Sequence, residues 1–332
     1  MCGIVGYIGS NEATPILIEG LRRLEYRGYD SAGIAVRGDD IQVVKEKGRI
    51  DNLQMRVDEE NPQGTIGIGH TRWATHGVPD KANAHPHKSM NGVVTLVHNG
   101  IIENYIELKN ELIANGYEFK SETDTEVIAQ LFDFLYDGDV IGTMIKCANL
   151  LEGSYAVAML INGRDDKVYA MKKDSPMIVG KGENQNYLAS DIPAILPYTR
   201  ECYIVNDGEF IEIGKNDIKV FDKNSEEKAV EIKKALKEAE SKNPQFIQNL
   251  SKVTTEAVEN PRVTNVLKGL GIAYNVAENT LVVDDAYENV RRTDTNFEWE
   301  KPEDRHYDYK TKFTGSKKQD IKKASKDERD ER

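Results

Sequence analysis

The first 225 residues alternate between short apolar runs and amphipathic stretches. Runs such as VVTLV and YAVAMLI are apolar on both faces of a strand, which predicts sheets buried between other layers. Leucines recur at helical spacing in TPILIEGLRRLEYRG, with Thr14 as the expected N-cap and Gly28 as the expected stop. Further helices are predicted over residues 103–116 and 121–136. Short glycine-containing connections favour antiparallel pairing of the strands.

These patterns predict an α/β (α+β) fold for residues 1–225. Strands that are apolar on both faces and helices that are apolar on one face together indicate a four-layer α/β/β/α sandwich. We expect two stacked, mostly antiparallel sheets between two helical layers.

The pattern changes near Ser225, where we place a domain boundary. The sequence SEEKAVEIKKALKEAESK predicts a charged amphipathic helix, and residues 245–260 predict another. We assign residues 226–293 to a small helical and mixed extension of unknown role. Residues 294–332 are mostly polar, and from Gly315 nearly all charged, polar or small, which predicts a flexible tail.

Composition excludes several classes of function. The net charge of −12 over 332 residues argues against non-specific binding to nucleic acid. Three widely spaced cysteines without a CxxC pair favour a reducing cytoplasm. The chain shows no signal-peptide pattern, and no apolar run approaches the ~18 residues of a membrane span. We therefore expect a cytoplasmic protein with neither nucleic acid nor a membrane as partner.

The opening MCGIVGYIG places a thiol directly after Met1. Removal of Met1 would expose a cysteine whose α-amine, with a pKa of about 7.7–8.0, is partly unprotonated near neutral pH. One residue would then supply both a nucleophile and a base. The alternative is an ordinary small residue entering a strand, because free cysteine is often buried. The position of Cys2 alone favours the interpretation as an ordinary small residue.

Several polar clusters fall at or near predicted strand or helix ends: EYRGYDSAG, HTRWATHG, NAHPH, HNGIIENY and SETDTE. Five of the six histidines lie between His70 and His98. Zinc sites usually need two sets of closely spaced cysteine or histidine ligands, whereas His85 and His87 form one thin pair. We therefore expect no metal site. We expect no cofactor either, because a thiol, an amine and hydrogen-bond donors suffice for nucleophilic chemistry at Cys2.

Together with the opening stretch, these segments closely resemble the glutaminase domain of the glutamine–fructose-6-phosphate aminotransferase (glucosamine-6-phosphate synthase) family. That domain belongs to the class II, N-terminal-nucleophile amidotransferases. The resemblance runs from Cys2 to about Lys223 and implies the N-terminal-nucleophile hydrolase topology for the sandwich. It also implies an enzyme that hydrolyses L-glutamine to glutamate and ammonia.

The resemblance implies roles for individual residues. Cys2 would attack the glutamine carboxamide, and Asn99 with Gly100 would form the oxyanion hole. Arg72 would bind the α-carboxylate and Asp124 the α-ammonium group. The other implied site residues are Arg27 and Gly28 beside the nucleophile, and Trp73, Thr75, His76 and Gly77 around the substrate pocket.

Structural interpretations stay open for some of these residues. Asn99-Gly100 is also a favourable turn sequence, and Asp124 also suits a helix N-terminus. Arg27 is as compatible with a structural salt bridge as with a site role. His85, which matches a family position near the pocket, is equally compatible with a structural hydrogen bond.

Family members continue into two sugar-phosphate isomerase domains, for which the 107 residues after Ser225 are too few. The hypothesis is that ammonia passes to a separate sugar-phosphate aminating or isomerase subunit, with residues 226–332 as the docking element. The alternatives are a stand-alone amidohydrolase acting on another small amide and a non-catalytic module that binds glutamine or a partner.

Overall fold

The computed structural model describes residues 2–73, 77–230, 232–234, 272–275 and 280–283. Within them, one sheet has eight strands. Its spatial order is β15 (Lys233–Lys234), β11 (Glu201–Ile204), β9 (Ile178–Lys181), β10 (Asn186–Ala189), β1 (Gly3–Ile8), β4 (Ile66–Arg72), β2 (Ser31–Arg37) and β3 (Ile41–Lys47).

A second sheet in the described part of the chain has seven strands. Its order is β14 (Glu227–Lys228), β13 (Ile218–Phe221), β12 (Phe210–Ile213), β8 (Val168–Lys173), β7 (Gly153–Ile161), β6 (Val94–Ile102) and β5 (His87–Lys88). Every strand pairing in the two sheets is antiparallel, as predicted. β16 (Ile272–Asn275) and β17 (Thr280–Val283) form a separate antiparallel pair.

The described helices fall into two groups according to the sheet they cover. On the first sheet lie α1 (Ala13–Arg23) and α2 (Ile50–Glu60), and on the second lie α3 (Tyr105–Ala114), α4 (Thr125–Leu135) and α5 (Val140–Leu150). Short 3-10 turns cover Glu25–Arg27 and Ile192–Ala194. None of the helices in the described ranges is long and apolar enough to cross a membrane.

Strand β1 shows why the layers form. Val5 and Tyr7 face the core under α1 and α2, whereas Ile4 and Ile8 face the core between the two sheets. A third apolar core lies between the second sheet and its helices. The two-sided apolar strands are thus buried on both faces, and the predicted α/β/β/α sandwich is confirmed.

The first helix differs in detail from the prediction. It begins at Ala13 and ends at Arg23, before Gly28. Thr14 is inside the helix, and its hydroxyl donates to the carbonyl oxygen of Pro62 instead of capping it. Helices α2 and α5 were not predicted.

The predicted amphipathic helix after Ser225 is wrong where the structure describes it. Glu227–Lys228 and Lys233–Lys234 are short strands at the edges of the second and first sheets. The Lys228 ammonium group donates to buried Glu209 at 2.5 Å, and Val230 packs against the core between the sheets. These tertiary contacts outweigh the helical propensity of the segment. The helix predicted over 245–260 and the tail over 294–332 lie outside the described residues.

Candidate active site

Cys2 lies directly before β1, which is an interior strand of the first sheet. Gly3, the first residue of β1, pairs with Thr71, and the amide of Gly3 donates to the Thr71 hydroxyl at 3.1 Å. Ile4 donates its amide to the Ser190 hydroxyl at 2.9 Å. The backbone after Cys2 is therefore fixed from both neighbouring strands, and the position of the thiol is fixed with it.

The carbonyl oxygen of Cys2 accepts two side-chain hydrogen bonds. Asn99 Nδ2 donates to it at 3.0 Å and Arg27 Nε at 3.2 Å. Arg27 in turn forms a salt bridge of 2.7 Å with Asp191, which also accepts from the Tyr26 hydroxyl at 2.6 Å. The cysteine is thus held through its own backbone, which leaves the sulfur to react.

The sulfur of Cys2 contacts the backbone of Trp73. The Trp73 amide donates to Sγ at 3.1 Å, and Sγ lies 3.6 Å from the Trp73 carbonyl oxygen. Burial raises the pKa of the Cys2 thiol above its ordinary value, although the Trp73 hydrogen bond opposes the shift. At neutral pH the group is therefore a thiol, and it needs a base to react.

A cavity of about 360 Å³ opens beside Cys2. Its lining includes seven of the predicted site residues: Cys2, Arg27, Arg72, Trp73, Asn99, Gly100 and Asp124. These residues come from the start of β1, the 3-10 turn Glu25–Arg27, the end of β4, the end of β6 and the turn before α4. The antiparallel order brings these distant segments together at one cavity.

Arg72 ends β4 and is only 4% exposed. Its guanidinium group donates to the carbonyl oxygens of Gly77 and Val78 at 3.3 and 3.4 Å. Gly77 has a φ of +73° and supports the arginine through its backbone. A buried guanidinium group at a cavity wall suits an anionic ligand group.

Asp124 precedes α4 and is also 4% exposed. One carboxylate oxygen accepts from the Ile102 amide at 2.9 Å. Glu126 accepts from the backbone amides of Lys120 and Ser121, which fixes the turn before the helix. Asp124 is thus a preorganised carboxylate at the wall of the cavity.

Glycine is required at two points of the site. A Cβ on Gly28 would lie 2.7 Å from the Arg72 carbonyl carbon and 2.9 Å from the Trp73 amide nitrogen. Gly100 has a φ of +131°, and a Cβ there would lie 2.0 Å from the Ser154 carbonyl oxygen. Both glycines therefore allow backbone segments to approach each other around the nucleophile.

Four buried histidines lie at the cavity: His85 and His98 contribute to its lining, and His70 and His87 contact this pair. The rings of His70 and His85 stack at 4.0 Å between centroids, and His85 meets His87 edge-on at 4.9 Å. Burial lowers the pKa of His70 to about 3 and lowers the pKa of the other three as well. All four are therefore neutral at pH 7.

Two predicted site residues, Thr75 and His76, lie outside the described residues. The sequence reasoning missed Asp191, which holds Arg27, and His70, whose Nε2 lies 3.0 Å from Asn99 Oδ1. His70 belongs to the segment HTRWATHG, which was noted for the resemblance, yet local sequence carries no signal for partners so far along the chain. Within the described part of the chain, no cluster of three or more His, Cys, Asp and Glu side chains could hold a metal ion.

The chain is similar in sequence to known proteins. A family described as "Glutamine amidotransferase domain" matches residues 57–231. A glutamine–fructose-6-phosphate aminotransferase [isomerizing] of Clostridium tetani is 53% identical over 233 residues, covering 70% of this chain and 38% of that protein. The corresponding Fusobacterium nucleatum protein is 44% identical over 288 residues, covering 81% of this chain and 47% of the relative.

The chain therefore spans less than half the length of these curated relatives. The alignment with the Fusobacterium nucleatum protein covers 81% of this chain, which is more than residues 2–223 on which the sequence resemblance rests. Sequence similarity therefore continues into the extension that follows Ser225. Among solved structures, a glutamine phosphoribosylpyrophosphate amidotransferase from B. subtilis aligns with a TM-score of 0.60 and 26% identity. That alignment covers 67% of this chain and 49% of the other.

Proposed function

The chain belongs to the glutamine amidotransferase family, and from this membership we propose that it hydrolyses L-glutamine to glutamate and ammonia through a thioester on Cys2. The observation that carries the proposal is the position of Cys2 in a cavity that also presents a buried guanidinium group and a buried carboxylate. A free amino acid carries the matching pair of charges.

Arg72 and Asp124 would bind the two charged groups of the amino acid. The Arg72 guanidinium group would pair with the α-carboxylate, and Asp124 with the α-ammonium group. One Asp124 oxygen is already held by the Ile102 amide, so the carboxylate keeps its orientation when the cavity is filled. The carboxamide at the far end of glutamine would then lie against Cys2.

The α-amine of Cys2, freed by removal of Met1, would act as the base. It takes the thiol proton directly or through a water molecule while sulfur attacks the carboxamide carbon. The carbon–nitrogen bond of the tetrahedral intermediate then breaks. The protonated α-amine of Cys2 gives its proton to the departing nitrogen, which leaves as ammonia. Water attacks the γ-glutamyl thioester, the carbon–sulfur bond breaks, and the thiol recovers its proton.

Asn99 and Gly100 would stabilise the oxyanion in both steps. Asn99 Nδ2 carries two hydrogens, one of which is bonded to the Cys2 carbonyl oxygen. The other is available for a substrate oxygen at the cavity. The backbone amide of Gly100 would be the second donor. Removal of one such donor typically costs about 10²–10³ in rate.

The relatives are named as glutamine–fructose-6-phosphate aminotransferases. We therefore propose that the ammonia is finally accepted by a sugar phosphate. We propose that a separate aminating subunit uses the ammonia and that residues after Lys234 dock to it. The location is proposed to be the cytoplasm, a choice that the three free cysteines support.

The test of the hydrolytic step is ammonia release from glutamine by the purified full chain. Cys2→Ala is expected to abolish it and to leave the circular dichroism spectrum unchanged, whereas Cys147→Ala is the matched control. An N-terminal tag that is not removed should also abolish activity, because it blocks the amine. Full activity with Met1 retained would overturn the mechanism.

Substrate choice and the position of the nucleophile need separate measurements. Asparagine and simple amides should be poor substrates compared with glutamine; equal rates would favour the general amidohydrolase. A 6-diazo-5-oxo-norleucine-type analogue should add its mass to the N-terminal peptide. Modification of Cys147 or Cys202 instead would refute Cys2 as the nucleophile.

The docking proposal is tested with the full chain and a chain ending at Lys234, which keeps both sheets complete. Each is mixed with a glutamine–fructose-6-phosphate aminotransferase whose own Cys nucleophile is mutated, together with glutamine and fructose 6-phosphate. The full chain should support more amino-sugar formation than the shorter one. Equal formation at equal glutaminase activity would refute docking by this segment.

A further inference from the structure

His70 is fully buried in the interior strand β4, one strand away from Cys2. It is 0% exposed, and its Nε2 lies 3.0 Å from Oδ1 of Asn99. Asn99 is therefore held at both ends of its carboxamide, because its Nδ2 donates to the Cys2 carbonyl oxygen at 3.0 Å. A buried carboxamide with two partners has one favourable orientation.

The Cys2 carbonyl oxygen fixes that orientation by its chemistry. A carbonyl oxygen accepts hydrogen bonds and cannot donate one, so the Asn99 group that faces it must be the amide nitrogen. Asn99 Oδ1 then faces His70, and the ring nitrogen opposite an amide oxygen must carry the hydrogen. The contacts thus assign the Nε2–H form to His70. The other tautomer would require a turned carboxamide, with two oxygens facing each other at Cys2.

The ring of His70 is held independently of Asn99. It stacks on the ring of His85 at 4.0 Å between centroids with an interplanar angle of 27°. Burial also lowers the pKa of His70 to about 3, so the ring is neutral near pH 7. The donor is therefore fixed in place before any ligand enters the cavity.

We propose that His70 is a positioning residue for glutamine hydrolysis: its Nε2–H holds the Asn99 carboxamide with nitrogen, and not oxygen, directed toward Cys2 and the reacting carbonyl. The inference rests on the proposed function. A carboxamide turned over would present an oxygen to the developing oxyanion, which would repel the charge that the intact site stabilises.

The test uses substitutions that keep or remove the donor. His70→Leu removes it, whereas His70→Gln can place an amide N–H near the position of Nε2. We expect His70→Leu to lower kcat for glutamine by about 10- to 100-fold with little change in KM, because part of an oxyanion donor is lost. His70→Gln should recover most of kcat. Thr95→Val, a buried polar-to-apolar change in strand β6, is the matched control and should leave kcat unchanged.

A double-mutant cycle separates positioning from general stability. If His70 acts through Asn99, then His70→Leu should have no further effect on kcat in an Asn99→Ala background. Independent losses that multiply, wild-type kcat in His70→Leu, or equal loss in His70→Leu and His70→Gln would each overturn the inference.

The tautomer gives a readout that does not depend on activity. The ¹⁵N chemical shifts of His70 at pH 7 should show hydrogen on Nε2, and hydrogen on Nδ1 would overturn the inference. Wild-type protein that fails to release ammonia would instead refute the proposed function, while the ¹⁵N shifts still decide how His70 holds Asn99.

Discussion

The four neutral histidines in and beside the lining of the active-site cavity should make this domain lose stability in mild acid. In the unfolded chain a histidine has a pKa of about 6.5. In the native protein burial lowers the pKa of His70 to about 3 and lowers those of His85, His87 and His98. Below pH 6.5 the unfolded state therefore binds more protons than the native state, and the free energy of unfolding falls as the pH falls.

The magnitude follows from the same shift. A histidine that titrates at about 6.5 when unfolded and stays neutral when folded costs about 1.4 kcal/mol per pH unit, or about 2 kcal/mol at pH 5. His70 alone sets that lower bound. The pKa values of His85, His87 and His98 are also lowered, so these rings add to the loss in the same direction.

The assay is urea unfolding followed by circular dichroism at pH 7.0, 6.0, 5.5 and 5.0. Carboxylates whose native pKa is lowered, such as Asp207 and Glu209, lose their stabilising contribution only below the unfolded pKa of about 4. The chosen pH window therefore isolates the histidines. His70→Gln should reduce the pH slope by about 1.4 kcal/mol per unit, while Thr95→Val should keep the wild-type slope.

Two results would refute this reasoning. One is a free energy of unfolding that stays constant from pH 6.5 to pH 5. The other is an identical slope in wild-type protein and in His70→Gln, which would mean that the His70 ring takes up a proton in the native state.

Three further predictions concern the site itself. Arg72→Gln and Asp124→Asn should each raise KM for glutamine by about 10- to 100-fold, the equivalent of one charge-assisted hydrogen bond, and an unchanged KM in steady-state assays would remove them from substrate binding. Gly100→Ala should abolish activity and lower the melting temperature, because its Cβ would lie 2.0 Å from a carbonyl oxygen of β7. Gly138 also has a positive φ but no atom within 4 Å of the added Cβ, so Gly138→Ala should have a mild effect. Equal effects of the two substitutions would contradict the steric argument. The pH profile of kcat/KM should lose activity as the pH falls through about 7.7–8.0, where the Cys2 amine gains its proton; a single limb near 6.5 would point to a histidine base.

The layers of the fold were predictable because both faces of the strands are apolar. Val5 and Tyr7 alternate with Ile4 and Ile8 in one short run, and a strand of that kind must be covered on both sides. Helix boundaries were less accessible. The first helix ends at Arg23 although its leucine pattern continues to Leu24, because the next residues turn into the 3-10 segment that carries Arg27.

The candidate site was also predictable only in part. Motifs singled out Cys2, Asn99, Arg72 and Asp124, and the fold brings all four to one cavity. The contact of Arg27 with Asp191 joins residues 164 positions apart, and no local pattern reports it. Such contacts depend on the register of the sheets, which the sequence specifies only collectively.

Two very short strands, β14 and β15, lie at the edges of the two sheets and are separated by only four residues of chain. A protease cut just before Glu227 would uncover the free edges of β13 and β11 together. Open strand edges pair readily with other chains. We therefore expect the cut protein to self-associate in a concentration-dependent way. The segment that contains β14 and β15 would then protect the intact protein from aggregation.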